Sequence, residues 1–101
     1  MKPNYIIEKL KNKETVSFRP HGNSMTPKIY SGNLVTISPI EETSCIEVGD
    51  VVYCKVNGRI FLHLVTAVRS NNQYQISNNK GHVNGWTTID KIYGKLIKIE
   101  P

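Results

Sequence analysis

Along most of the chain, apolar side chains alternate with polar ones in short runs, and glycine, asparagine or proline closes each run. This two-residue period, broken at short intervals by turn formers, predicts strands joined by tight connections. Thr15–Arg19, Leu34–Ile37, Val51–Val56, Arg59–Val68, Tyr74–Ile76 and Ile92–Ile99 read as strands. Pro39 ends the second of them, since proline cannot donate to a ladder. Asn57-Gly58 lies between two strand patterns and is the strongest hairpin signal in the chain. Only Asn4–Lys13 differs: Ile6, Ile7 and Leu10 recur at helical spacing with lysines opposite, and Asn4 is placed to cap. Glu41–Glu47 and Ser70-Asn71-Asn72 read as polar connections, and Lys28–Ser31 as a brief turn. Ser77–Trp86 is rich in glycine and asparagine and reads as a turn or lid segment around Trp86. The predicted class is mostly β: a compact, coiled antiparallel sheet or partly open barrel with one short N-terminal helix.

Composition narrows the function classes. With 101 residues, 39% hydrophobic and 21% charged, the chain suits one globular domain over 1–101, its first 14 residues a helical extension. The net charge of +5 comes from ten lysines and three arginines spread along the sequence. Bidentate phosphate and base recognition favours arginine, so scattered lysines read as solvated faces and no specific nucleic-acid partner is expected. Two cysteines, Cys45 and Cys54, make neither a disulfide framework nor a zinc signature, and Cys54 reads as a buried small hydrophobe. His21, His63 and His82 lack ligand spacing, so no metal and no cofactor is expected. No apolar run approaches the ~20 residues of a membrane span, and the first residues lack the apolar core of a signal peptide. No membrane anchor and a cytoplasmic location are the resulting expectations.

The candidate chemistry centres on Arg19-Pro20-His21-Gly22-Asn23-Ser24-Met25-Thr26-Pro27. Glycine before the serine and proline after it force a tight, exposed turn, where a nucleophile must stand to reach a carbonyl. The same residues also make an ordinary turn. Three further elements follow in order: Ser31-Gly32-Asn33-Leu34-Val35, Val48-Gly49-Asp50-Val51-Val52-Tyr53 and Arg59-Ile60-Phe61-Leu62-His63. Together they resemble the S24/S26 serine peptidase superfamily, which comprises the self-cleaving repressor C-terminal domains and the signal peptidases. Its pattern reads Gly-x-Ser-Met-x-Pro, two Gly-Asp-x-Val turns, then a strand carrying the catalytic base. The resemblance runs from about residue 16 to about residue 99.

The resemblance implies a soluble serine peptidase-like protein in which Ser24 attacks a peptide bond and His63 is the base. Imidazole accepts a proton near neutrality without the desolvation that a lysine base needs. His63 shares a strand face with Phe61 and Val65, so a half-buried structural histidine is the competing reading. His21, beside Ser24 in sequence, is a rival base. The histidine-type enzymes place an acid in a Gly-Asp-Asn segment after the next strand; here that stretch reads Asn78-Asn79-Lys80-Gly81, so Asn79 takes the orienting role. Asp90 is a weaker alternative, and Asp50 belongs to a structural turn. Leu64 replaces the family arginine and Gly22 replaces an oxyanion-donating serine, so the oxyanion hole falls to backbone N–H groups such as that of Ser24.

Asn23, Met25, Leu62 and Leu64 are the substrate-binding candidates, around an extended peptide or protein lying on a strand edge. The repressor-type enzymes cut an Ala-Gly or Cys-Gly bond in themselves; neither dipeptide occurs here, so the substrate is expected to be another protein. About 13 residues before the first strand cannot hold the repressors' helix-turn-helix domain. Stand-alone miniature members of the superfamily are familiar in phages and mobile elements. The alternative function is a catalytically weak or inactive module of the same fold that binds a peptide or partner protein through its open strand edge.

Overall fold

The computed structural model describes residues 3–41, 45–70 and 72–101. It contains one helix, α1 (Pro3–Lys11), and seven strands: β1 (Val16–Phe18), β2 (Leu34–Pro39), β3 (Val51–Val56), β4 (Arg59–Arg69), β5 (Gln73–Ser77), β6 (Val83–Thr88) and β7 (Ile92–Glu100). A single 3-10 turn, Ile89–Lys91, links the last two. Ile6, Ile7 and Leu10 are all buried, as an amphipathic helix with one apolar stripe requires. The helix starts at Pro3, so Asn4 lies inside its first turn, and the side chain expected to cap it is outside the described residues. Parts of the two polar connections, residues 42–44 and 71, also lie outside them.

All seven strands form one antiparallel sheet in the order β1-β2-β7-β3-β4-β5-β6. It coils without closing, since β1 and β6 are its two ends. Register shifts in four of the six strand pairs supply the coiling, because a bulge bends and over-twists the strand that carries it. The Asn57-Gly58 turn has positive φ at both positions, 50° and 81°, the geometry that matches a two-residue turn to the twist of β3 and β4.

β3 sits between β7 and β4 and is apolar on both faces. Val51 and Tyr53 join a core with α1, β1 and β2, while Val52, Cys54 and Val56 join a second with Val65, Tyr74, Ile76 and Ile92. Cys54 is buried as expected, and burial pushes its thiol pKa up to about 12. β4 divides its side chains likewise: Ile60, Leu62 and Leu64 pack on the first core, Phe61 and Val65 on the second. His63 belongs to the Phe61–Val65 row.

β6 occupies a segment whose composition reads as turn. Its inward face explains the glycine: a Cβ on Gly85 would lie 3.0 Å from Asn57 Nδ2 and 3.1 Å from Val56 Cγ1. Without one, β6 approaches the β3–β4 hairpin, where the Thr87 hydroxyl donates to the Lys55 carbonyl at 2.7 Å. The half-sheet from β3 to β6 therefore curls almost back on itself, bringing residues of β4 and β6 together.

Candidate active site

The serine turn hangs between β1 and β2 and is held at several points. Gly22, at φ 114°, turns the chain, and its N–H donates to Ser31 Oγ at 3.1 Å. Arg19 donates through its guanidinium to the Gly32 carbonyl at 2.7 Å, and the Gly32 N–H donates to the Pro20 carbonyl at 2.9 Å. Met25 and Ile29 plug into the first core. The Thr26–Pro27 bond is cis. Ser24 itself remains exposed at the rim.

From this position Ser24 Oγ lies 3.2 Å from His63 Nε2. The two residues, 39 apart in sequence, meet because β4 carries the imidazole under the turn. The other ring nitrogen, Nδ1, lies 2.7 Å from Asn84 Oδ1. An amide oxygen only accepts, so Nδ1 bears the proton and the Nε2 lone pair faces the serine hydroxyl. The imidazole is 8% exposed and stacks on Phe61, with ring centroids 4.8 Å apart and 27° between planes. Burial lowers its pKa from the usual histidine value, the Asn84 bond opposes that shift, and the nearby His82 charge adds to it. The ring is thus held as the neutral base.

The side chain against Nδ1 is Asn84, not Asn79. The Asn79 amide donates to the Thr26 carbonyl at 3.2 Å and its backbone N–H to the Ser24 carbonyl at 3.0 Å. It fastens the serine turn instead of the imidazole, because its place just after β5 lies beneath residues 24–26. Asn84 enters through β6, the strand that its glycine conceals in the sequence; the one local signal for it is Trp86-Thr87-Thr88, a run of strand-favouring residues. Asp90 lies on the 3-10 turn, bonded to Thr88. Asp50 accepts from the Glu47 N–H and pairs with Lys95 at 3.3 Å, a structural turn as its motif suggests. Trp86 does not line the Ser24 cavity; its ring carries the Arg69 guanidinium at 3.9 Å.

Beside Ser24 opens a cavity of about 170 Å³, lined by Met25, Ile29, Tyr30, Leu62 and His63 among others. Met25 and Leu62 therefore face the site. Asn23 and Leu64 do not line it: the Asn23 carbonyl is taken by Thr26, and Leu64 packs on the first core. His21 lines the cavity but is exposed and makes no bond to Ser24 Oγ. Among the described residues, no group of three or more His, Cys, Asp or Glu side chains can hold a metal ion. No helix among them is long and apolar enough to cross a membrane.

The coiled antiparallel sheet thus presents the turn Ser24-Met25-Thr26-Pro27 to the imidazole of His63. Residues 3–97 match the Peptidase S24-like family, and the chain belongs to it. No curated protein matches the sequence significantly.

Proposed function

We propose that the protein is a serine endopeptidase acting on an extended segment of another protein, with Ser24, His63 and Asn84 as its catalytic group. The observation that carries this reading is the continuous hydrogen-bonded line from Ser24 Oγ through His63 to Asn84 Oδ1. In the reaction, Nε2 takes the hydroxyl proton as Oγ bonds to the scissile carbonyl carbon, and the carbonyl π electrons move to oxygen. The imidazolium then gives that proton to the departing amine as the C–N bond breaks, leaving an ester on Ser24. Water, deprotonated by the same nitrogen, hydrolyses the ester and restores the hydroxyl. The Ser24 backbone N–H is the oxyanion donor closest to hand.

The geometry around the serine supports an extended substrate. Among the described residues, β4 pairs with β5 only from Leu64 onward, so Arg59–His63 keep one backbone edge unpaired, and β1 pairs on one side alone. Phe18–His21 and Ile60–Leu62 flank a groove that runs into the Ser24 cavity. A peptide laid there gains main-chain hydrogen bonds from a strand edge, with one side chain in the cavity.

One observation favours a second reading, binding without cleavage: the partner on Nδ1 is an amide, which orients the imidazole but cannot stabilise an imidazolium by charge. A fluorophosphonate or peptidyl phosphonate probe separates the two. Covalent labelling of the protein that is lost in both Ser24→Ala and His63→Gln supports the peptidase. A wild type that stays unlabelled while still binding peptide supports the module.

A further inference from the structure

One of the three arginines in this lysine-rich chain, Arg19, lines the groove on its β1 side. Arg19 lines the groove at the end away from Ser24, next to Phe18 and Tyr53. One of its N–H groups is fixed on the Gly32 carbonyl at 2.7 Å, which holds the guanidinium in place. A guanidinium carries five N–H donors, so others remain for a ligand in a fork already oriented. Arg59 lies over the ring of Phe61, 5.9 Å from its centroid, and Phe61 lines both the groove and the Ser24 cavity. The other ionisable residues described along the groove and cavity are two tyrosines and two histidines.

Among the described residues, no aspartate or glutamate lines the groove or the cavity. Asp50 is paired with Lys95, Glu14 with Lys9 and Glu100 with Lys98, all on other elements. An apolar trough with a fixed arginine at its far end and no acid on its described walls has a definite complement. It is an extended peptide with apolar or small side chains near the scissile bond and one acidic side chain beyond them. Planar bidentate contact with a carboxylate is what arginine does better than lysine. A basic residue at that position of the peptide meets like charge with no acid to offset it, which disfavours wrong partners as much as the contact favours right ones.

We propose that Arg19 is the specificity determinant of the groove and that the substrate is recognised through an aspartate or glutamate several residues from the cleaved bond. This rests on the extended-peptide reading above but not on cleavage.

The test uses the whole chain carrying Ser24→Ala, so that bound peptide stays intact, to select from a randomised decapeptide library at low ionic strength. Aspartate and glutamate are expected to be enriched about tenfold at one register position over the unselected library, and less at about 0.5 M salt. Arg19→Gln, which can still donate to the Gly32 carbonyl, is expected to remove the enrichment while peptides are still retained. Arg19→Lys keeps part of it, and Arg19→Glu replaces it with lysine and arginine. Acid enrichment that survives Arg19→Gln, or retained peptides with no charge preference, overturns this inference and leaves the extended-peptide reading standing. Retention of no peptide at all overturns both.

Discussion

Asn84→Asp gives the sharpest check on the site, and its outcome does not depend on knowing the substrate. It replaces a neutral acceptor, 2.7 Å from His63 Nδ1, with a carboxylate of the same shape. Two unit charges about 4 Å apart at an effective dielectric of ~20 attract by ~4 kcal/mol. Partial exposure of Asn84 and the cost of bringing a carboxylate against a buried ring reduce that to ~1.5–4 kcal/mol, or about 1–3 pH units. In the wild type, burial holds the His63 pKa below the usual histidine value; in the variant it is expected to rise above that value. Histidine ring resonances followed by NMR from about pH 4 to pH 9 report this directly. The chain has three histidines, so comparison with His63→Gln assigns the signal. Stability changes with it. Wild-type stability is expected to fall as pH drops through the unfolded value of about 6.5, because the unfolded chain takes up the proton first. In Asn84→Asp the sign reverses: the gain is fully present below about 6.5, provided the introduced carboxylate stays ionised, and is lost as pH rises through the raised folded value. An unchanged His63 titration in Asn84→Asp refutes the contact between the two residues.

Other outcomes follow from the same geometry. The rate of labelling by a serine-directed phosphonate should stay level from about pH 8 to below about 6.5 and then fall as the imidazole protonates; a rate already falling at neutral pH contradicts the lowered His63 pKa. Asn79→Ala removes the amide bond to the Thr26 carbonyl but keeps the backbone bond to the Ser24 carbonyl. Labelling should slow about tenfold, with a stability loss of only ~1 kcal/mol by urea unfolding; a His63 titration that moves as well would assign Asn79 the wrong partner. Gly94→Ala tests the packing of β7 on β2, since a Cβ there would lie 2.5 Å from Ile37 Cγ2 and 2.8 Å from the Ser38 carbonyl oxygen. A loss of ~2–3 kcal/mol in chemical denaturation is expected, and a change below ~0.5 kcal/mol would show the strands are not in this register.

Much of the architecture was legible along the chain because its cause is local. The alternation in Val51–Val56 and Arg59–Val68 and the Asn57-Gly58 turn specify a hairpin from neighbouring residues alone. Ile6, Ile7 and Leu10 likewise declare one buried helical face, and all three are buried. Gly22 and Pro27 bound a turn for the same kind of reason, so a serine there was visible as a candidate. Periodicity alone places His63 only in a row with Phe61 and Val65, where nothing local separates a base from a core histidine; its reading as the base rests on the order of the motifs.

What the tertiary structure decided is which distant polar groups meet. Asn79 and Asn84 are the same residue type five positions apart in one glycine- and asparagine-rich segment, and local composition treats them alike. They part because β6 forms there, with Gly85 at φ 142° pressed against Val56 and Asn57, where a Cβ would be strained and would crowd both side chains. Those partners stand far back along the chain, and the contact exists only once the half-sheet from β3 to β6, with its bulged pairs β4–β5 and β5–β6, has curled round. Periodicity assigns a residue to a face; only the coil of the whole sheet determines which face lies opposite.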